Sequence, residues 1–537
     1  MVAQMSIRIA PGFALGVELV GRRTPVYHPA TSILSRRRHS EHHLKRRDCP
    51  RPEDPLCLQR PSPYRVWYSQ GYWTLETNMT GRNGLASICL ALFVFVFMRV
   101  PPARTTEPPS SPEKPVTLTS YSARTDRRVE KYPDTLPPLG PAGSVFTDPT
   151  FGSRMARVTD AATDPRKPGQ SFHTPSSAQA NIWNSTSTKF YVVEMGGRLL
   201  LYDFDGSKMA ARFSEAPELG WRPEVEFSYR QPNILYGLSG GYPTFEQYDV
   251  VTRKVATLHN PKDCLKLSSD DHGADISTTA DDRRFMGVFG PRQGDNYITY
   301  VYDRDKGCRW FNTKTGEVGG QWGPQGKISG VESFTIHDAR ISKGGDFVVI
   351  TGGGEGPVVW EVATLNAVLC TRQNPMACGG HHAIGYSLMV NPTGMKHPME
   401  ILARPLNHLE KTSQLIAELP DHGVWFDKHF SWNNADPQDS NPVCLSTYTP
   451  ANPSTEKTPL TVDQPWVNEI DCIEMDGKGS QVWRFAHTYS TAKNGFWSTP
   501  RGNVSQDGRF FAFTSDWENS LGRGQGYRHD VFVVELK

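Results

Sequence analysis

From about residue 180 to the C-terminus, one arrangement of polar and apolar positions recurs. A polar turn precedes a short strand of β-branched and aromatic residues, and a second turn leads into another such strand. The clearest first strands lie in Asn184–Val193, Ser228–Leu238, Ser277–Gly290, Ser342–Ile350 and Ser505–Ser515. Their partners are Arg198–Phe204, Thr244–Val250, Tyr297–Asp303 and Pro357–Val362. Weaker copies run through Tyr386–Val390 with Thr412–Leu419, and through Phe430–Asn433, Val443–Tyr448 and Glu469–Met475. The repeat length, roughly 45–65 residues, is that of a propeller blade, a four-stranded sheet that cannot bury both of its faces alone. Seven copies start near residues 180, 223, 274, 335, 380, 426 and 497. The last ends with Val531–Leu536, one strand short, and Arg154–Thr159 offers the missing strand. The pattern therefore predicts an all-β fold over residues 145–537. It is a seven-bladed β-propeller closed by pairing of the N-terminal strand with the last blade.

Composition agrees. Only 37% of the 537 residues are hydrophobic, while 47 Gly, 42 Pro and 11% aromatics suit short strands and tight turns. The net charge of +2 gives no electrostatic case for nucleic acid. Ahead of the repeats the chain changes character. Residues 1–78, with Arg36-Arg37-Arg38 and Lys45-Arg46-Arg47, read as a disordered basic extension outside the fold, and translation from Met79 would omit them. Residues 79–103 contain a fourteen-residue apolar run, Leu85–Met98. It has the length of a signal-peptide core and is short for a membrane span. A secreted or periplasmic protein is expected, with an uncleaved N-terminal anchor as the alternative. Residues 104–144, rich in Pro, Thr and Ser, read as a linker. Six cysteines follow the apolar run, as near neighbours Cys264 and Cys308, Cys370 and Cys378, Cys444 and Cys472. An even number suits disulfides in an oxidising compartment, with fifteen pairings open.

Ser505-Gln506-Asp507-Gly508-Arg509-Phe510-Phe511-Ala512-Phe513 resembles the S-x-D-G-K/R repeat of TolB-type, WD40-like propellers, and Arg154–Asp160 resembles their lead-in strand. The resemblance implies the propeller fold. It leaves the function open, because this architecture serves enzymes, receptors and scaffolds.

Chemistry-bearing residues recur in register. His272–Ser277, His337–Ser342 and His382–Ser387 share H-x-x-x-[I/Y]-S, and His429 falls within one position of the same place in the sixth copy. Equivalent positions of successive blades surround one axis, so these imidazoles are expected at one end of the central channel. Imidazoles so placed can hold a divalent metal or act as general bases. A repeated structural role at the start of the strand gives the same spacing. Arg340 and Arg501 occupy neighbouring register positions, suited to a carboxylate, and Trp497 is suited either to a sugar face or to packing between blades.

Fold and channel histidines together resemble oligogalacturonate lyases, seven-bladed propellers with a largely His-held metal and a β-elimination mechanism. The resemblance implies that His337, His382 and His429 hold a divalent ion (Mn, Ca or Zn), that His272 is the base, and that Arg340 or Arg501 contacts the carboxylate of an acidic sugar. A monomeric carbohydrate-active enzyme is one expectation. The other is a non-catalytic propeller binding a glycan, a peptide or an envelope protein. Gly237–Gly241 matches G-x-S-x-G, but strands continue beyond it, so Ser239 reads as a hairpin loop. Gly352–Gly356 reads as a turn. Asn184 and Asn503 head N-x-S/T glycosylation patterns.

Overall fold

The computed structural model describes residues 118–537 apart from short interruptions, chiefly 371–380, 393–399, 417–426 and 449–463. The basic extension 1–78, the apolar segment 79–103, residues 104–117, Gly353–Glu355 and Cys378 lie outside the described residues. Among those described, no helix is long and apolar enough to cross a membrane.

The strands form seven antiparallel sheets. Blade I comprises Phe172–His173, Lys189–Glu194, Leu199–Asp205 and Ala210–Glu215, and blade II runs from Glu226–Phe227 to Lys254–His259. Blade III starts at His272–Thr278 and carries two extra outer strands, Glu317–Gly320 and Gly326–Lys327. Blades IV, V and VI start at Ile336–Ile341, Ala383–Ile384 and Asp427–Ser431. Blade VII contains Asn503–Val504, Phe510–Ser515 and Asp530–Glu535. Its fourth strand is Arg154–Arg157, paired through Met155 with Val534 and Arg157 with Phe532, as the strand count predicts. Val145–Thr147 adds a fifth strand outside it.

Hydrogen bonds between neighbouring blades trace the whole ring. Phe227 N donates to Asn181 O, Thr278 N to Glu226 and Ile341 N to the Ser277 hydroxyl. Lys343 N donates to Gly385 O, His381 Nδ1 to Lys428 O and Val504 N to the Ser431 hydroxyl. Phe172 N donates to His529 O and closes the circle.

Strand alternation explains how one blade serves two interfaces. On Phe510–Ser515, Phe510 and Ala512 pack with Trp183, Phe190 and Phe204 of blade I, while Phe511 and Phe513 pack with Trp483 and Phe485 of blade VI. Each fully buried aromatic contributes on the order of 1.5–3 kcal/mol over its exposed state. The repeat's polar turn has one geometry despite its changing sequence. Gly508, Gly345, Asp282 and Ser187 each donate a backbone hydrogen bond to the residue three before, and each has positive φ. That conformation is why glycine stands there in two copies and short polar residues in the others.

Two expectations need correction. Asn184 and Asn503 are buried, and their side-chain amides donate to Pro232 O and to Ala178 O and Ala180 O, so neither is presented for glycosylation. The stretch read as a linker packs on the propeller from residue 118 onward. Tyr121 sits edge-on to Trp483 and Phe485, Arg124 bridges to Arg484, and Tyr132 lies against His487 and Tyr489. Its aromatics find partners on blade VI that a local composition count does not reveal. Ser239 lies in the loop after Ile234–Leu238, as expected.

Cys264 is bonded to Cys308 and Cys444 to Cys472, both nearest-neighbour pairs. The second joins paired positions of adjacent strands, 28 residues apart in sequence. Closing a loop of that length stabilises by about 3–4 kcal/mol in the chain-entropy account. A Cys444→Ser/Cys472→Ser variant is expected to lose that amount in urea unfolding, and a loss under about 1 kcal/mol would contradict it.

Candidate functional site

One cavity of about 240 Å³ draws its walls from six of the seven blades. Blade I supplies Ser176–Gln179, blade III Asp275, blade IV His337 and Asp338, blade V His381 and His382, blade VI His429 and Phe430, and the approach to blade VII Phe496. Such a wall exists only where the inner strands converge, at one mouth of the axial channel.

Three of the four histidines expected in register, His337, His382 and His429, meet here. His272 does not. Its Nδ1 instead meets the Arg222 guanidinium at 3.0 Å. A β-bulge explains the difference. In blade IV the bulge falls between Ile336 and Asp338 and turns out His337, whereas in blade III it falls between Ala274 and Ile276 and turns out Asp275, which has φ 42°. Equal sequence spacing thus places a histidine in one blade and a carboxyl in the next.

Arg340 is buried among carboxyl groups of the protein itself. It pairs with Glu226 and Asp338 at 3.2 Å each and with Glu224 at 3.5 Å, and donates to Ile276 O at 2.7 Å. Burial disfavours its charge, but Asp338, Asp275, Glu226 and Glu224 more than offset this and hold it firmly charged. Arg340, expected to meet a substrate carboxylate, is not among the residues that line this cavity; its guanidinium sits among four carboxyl groups of the protein.

Arg501 differs. It is fully buried, and among the described residues its Nε and Nη1 have no hydrogen-bond partner. Its guanidinium lies 4.3 Å from the Phe496 ring and 4.6 Å from Trp497. Burial pushes its pKa down to about 9, against the pull of Glu224 and Tyr448. Trp497 does not line the cavity; it stacks at 4.1 Å on His173. The short helical turn Phe496–Ser498 puts its neighbour Phe496, 51% exposed, at the cavity instead.

One hydrogen-bonded imidazole of the cavity, His381, was not singled out by the repeat. His381 Nδ1 lies 3.1 Å from Asp427 Oδ1 and 2.9 Å from Lys428 O. The Tyr448 hydroxyl donates to Asp427 Oδ2 at 3.0 Å. Burial works against a charged His381, but the Asp427 hydrogen bond and charge prevail and raise its pKa. His429, 4.4 Å from His381 between ring centres, is pushed the other way by burial and by the charge of His381. The cavity thus holds one imidazole biased toward the cation and one held neutral.

The residues do not fit a preformed metal centre. Although His337, His382 and His429 share the cavity, among the described residues no three His, Cys, Asp or Glu side chains converge as a ligand set.

No protein-family model and no curated protein matches the sequence. Solved structures that resemble the fold include an oligogalacturonate lyase in complex with manganese, 12% identical, covering 74% of this chain and 99% of its own with a TM-score of 0.48. An oligogalacturonate lyase from Vibrio parahaemolyticus is 10% identical, covering 73% of this chain and 96% of its own, also with a TM-score of 0.48. TolB from Acinetobacter baumannii is 15% identical, covering 51% of this chain and 63% of its own, with a TM-score of 0.30. The seven sheets and the hydrogen bonds that link them in a circle establish the chain as a seven-bladed β-propeller.

Proposed function

We propose that the channel-mouth cavity is the active site of an enzyme acting on an acidic sugar by proton abstraction beside its carboxylate, leading to β-elimination. The observation that carries this reading is the contact of two imidazoles, His381 and His429, in one cavity beside the buried guanidinium of Arg501. A carbon acid next to a carboxylate needs a base at the C–H and positive charge near the carboxylate oxygens. Arg501 supplies charge behind Phe496 and His429, and Phe496 offers an apolar face to a sugar ring. His337 and His382 complete the polar wall. The Cys264–Cys308 and Cys444–Cys472 disulfides support work outside the cytoplasm.

The second reading is a glycan-binding propeller without catalysis, favoured by the half-exposed Phe496 at the cavity. The two separate on one experiment. Oligogalacturonates incubated with the protein should acquire unsaturated ends, seen as new ultraviolet absorbance. Binding with the sugars recovered intact would select the second reading.

Chelation tests whether an ion takes part. Turnover is expected to survive exhaustive treatment with a chelator. Loss of turnover, restored by a divalent cation and abolished in His337→Ala and His382→Ala, would assign those histidines to a metal.

A further inference from the structure

Asp427 and His381 come from different blades, 46 residues apart, and meet at the wall of the cavity. The hydrogen bonds around them fix where the proton sits. Both neighbours of His381 Nδ1 are acceptors, the Asp427 carboxylate and the Lys428 carbonyl. Nδ1 must therefore carry the hydrogen, and in the neutral ring Nε2 is the nitrogen with the lone pair. Asp427 is itself held by Lys428 N at 2.8 Å and by the Tyr448 hydroxyl at 3.0 Å. His381 keeps 43% of its side chain exposed, as a group that reaches substrate must, while Asp427 is 19% exposed. His429 packs against both parts, on His381 at 4.4 Å and on Tyr448 at 5.3 Å with rings nearly parallel. A partly exposed imidazole whose inner nitrogen is pinned by a shielded carboxylate is the arrangement that makes a histidine an oriented base.

We propose that Tyr448, Asp427 and His381 form a relay in which His381 Nε2 is the base of the cavity and Asp427 and Tyr448 position it. The proposal rests on the acid–base reading of the cavity. In the elimination, Nε2 takes the proton from the carbon bearing the carboxylate. The C–H electron pair becomes the new carbon–carbon double bond, and the bond to the neighbouring glycosidic oxygen breaks. The departing oxygen takes the same proton back from the imidazolium, so no further reactant is needed. Asp427 stabilises the imidazolium while it exists. Lys428 and His429 face His381 from blade VI, His382 adjoins it, and Asp275, His337 and Asp338 line the same cavity.

The test uses the full chain, Asp427→Asn and His381→Ala, with two readouts. Diethyl pyrocarbonate acylates unprotonated imidazoles, and peptide mass spectrometry gives the rate at His381 against pH. In the wild type the inflection should lie above the ordinary imidazole value, and in Asp427→Asn it should fall. Turnover of trigalacturonate should drop about 10²–10⁴-fold in kcat for His381→Ala, with KM changed far less. An inflection that does not move in Asp427→Asn, or wild-type turnover by His381→Ala, overturns the relay. His381→Ala alters a half-exposed side chain and so guards against misfolding of the Asp427 variant. A wild type that does not turn over trigalacturonate but shows the shifted inflection overturns the uronate reading and supports the relay.

Discussion

Arg340→Met should lose about 3–5 kcal/mol of stability, a cost typical of stripping the cation from a buried ionic cluster. Glu226 and Glu224, Asp338 and Asp275 would then face one another, with Lys343 near Glu226 and Arg501 near Glu224. Even with Arg340 present, burial raises Glu226 to about 7 and pushes Asp275 well above the usual carboxylate range. Without the guanidinium both rise further. A carboxyl whose folded pKa exceeds its unfolded value favours the folded state when protonated. That contribution is complete below the unfolded pKa, near 4, and is lost as pH rises through the folded value. The gap between wild type and variant should therefore be narrow at about pH 5 and widest above pH 7. Urea unfolding at the two pH values checks this. A gap under about 1 kcal/mol, or one independent of pH, would contradict the role given to Arg340.

Removal of the closing strand should be more damaging. A chain starting at residue 160 lacks Arg154–Arg157 and with it the buried Met155, Ala156 and Val158. It also loses the Arg154–Glu535 and Arg157–Asp530 ion pairs, each at 2.6 Å. Asp530 is fully buried, and the Asp530–Glu535 strand becomes an open edge. Unfolding should cease to be a single cooperative transition, with soluble protein lost to association. A monomer that unfolds in one step with the parent midpoint would show that the ring does not depend on this pairing.

The ring was legible in the sequence because its evidence is local. A polar turn and an alternating strand repeat within about fifteen residues, and the shortage of one strand after Leu536 pointed to Arg154–Thr159. The site was legible only in part, because its evidence is long-range. The register brought His337, His382 and His429 to one cavity, but it could not see that a bulge moves from His337 in blade IV to Asp275 in blade III. Arg340 looked available because Glu226 lies 114 residues away. His381 was passed over for its neighbour His382, which fits the repeated spacing; only the fold shows that Asp427 and Tyr448 single out His381. Trp497 stood out in the sequence by its residue type, and the short helical turn Phe496–Ser498 places its neighbour Phe496 at the cavity instead.

The most direct test of the central claim is the ultraviolet absorbance of oligogalacturonate incubated with wild type, His381→Ala and Arg501→Met. The account predicts that unsaturated ends accumulate with the wild type. It predicts at least about a hundredfold slower appearance with His381→Ala. It also predicts a raised KM with Arg501→Met, because the buried guanidinium lies against Phe496 at the cavity. Oligosaccharides recovered intact from the wild type, or equal rates in all three proteins, would contradict it.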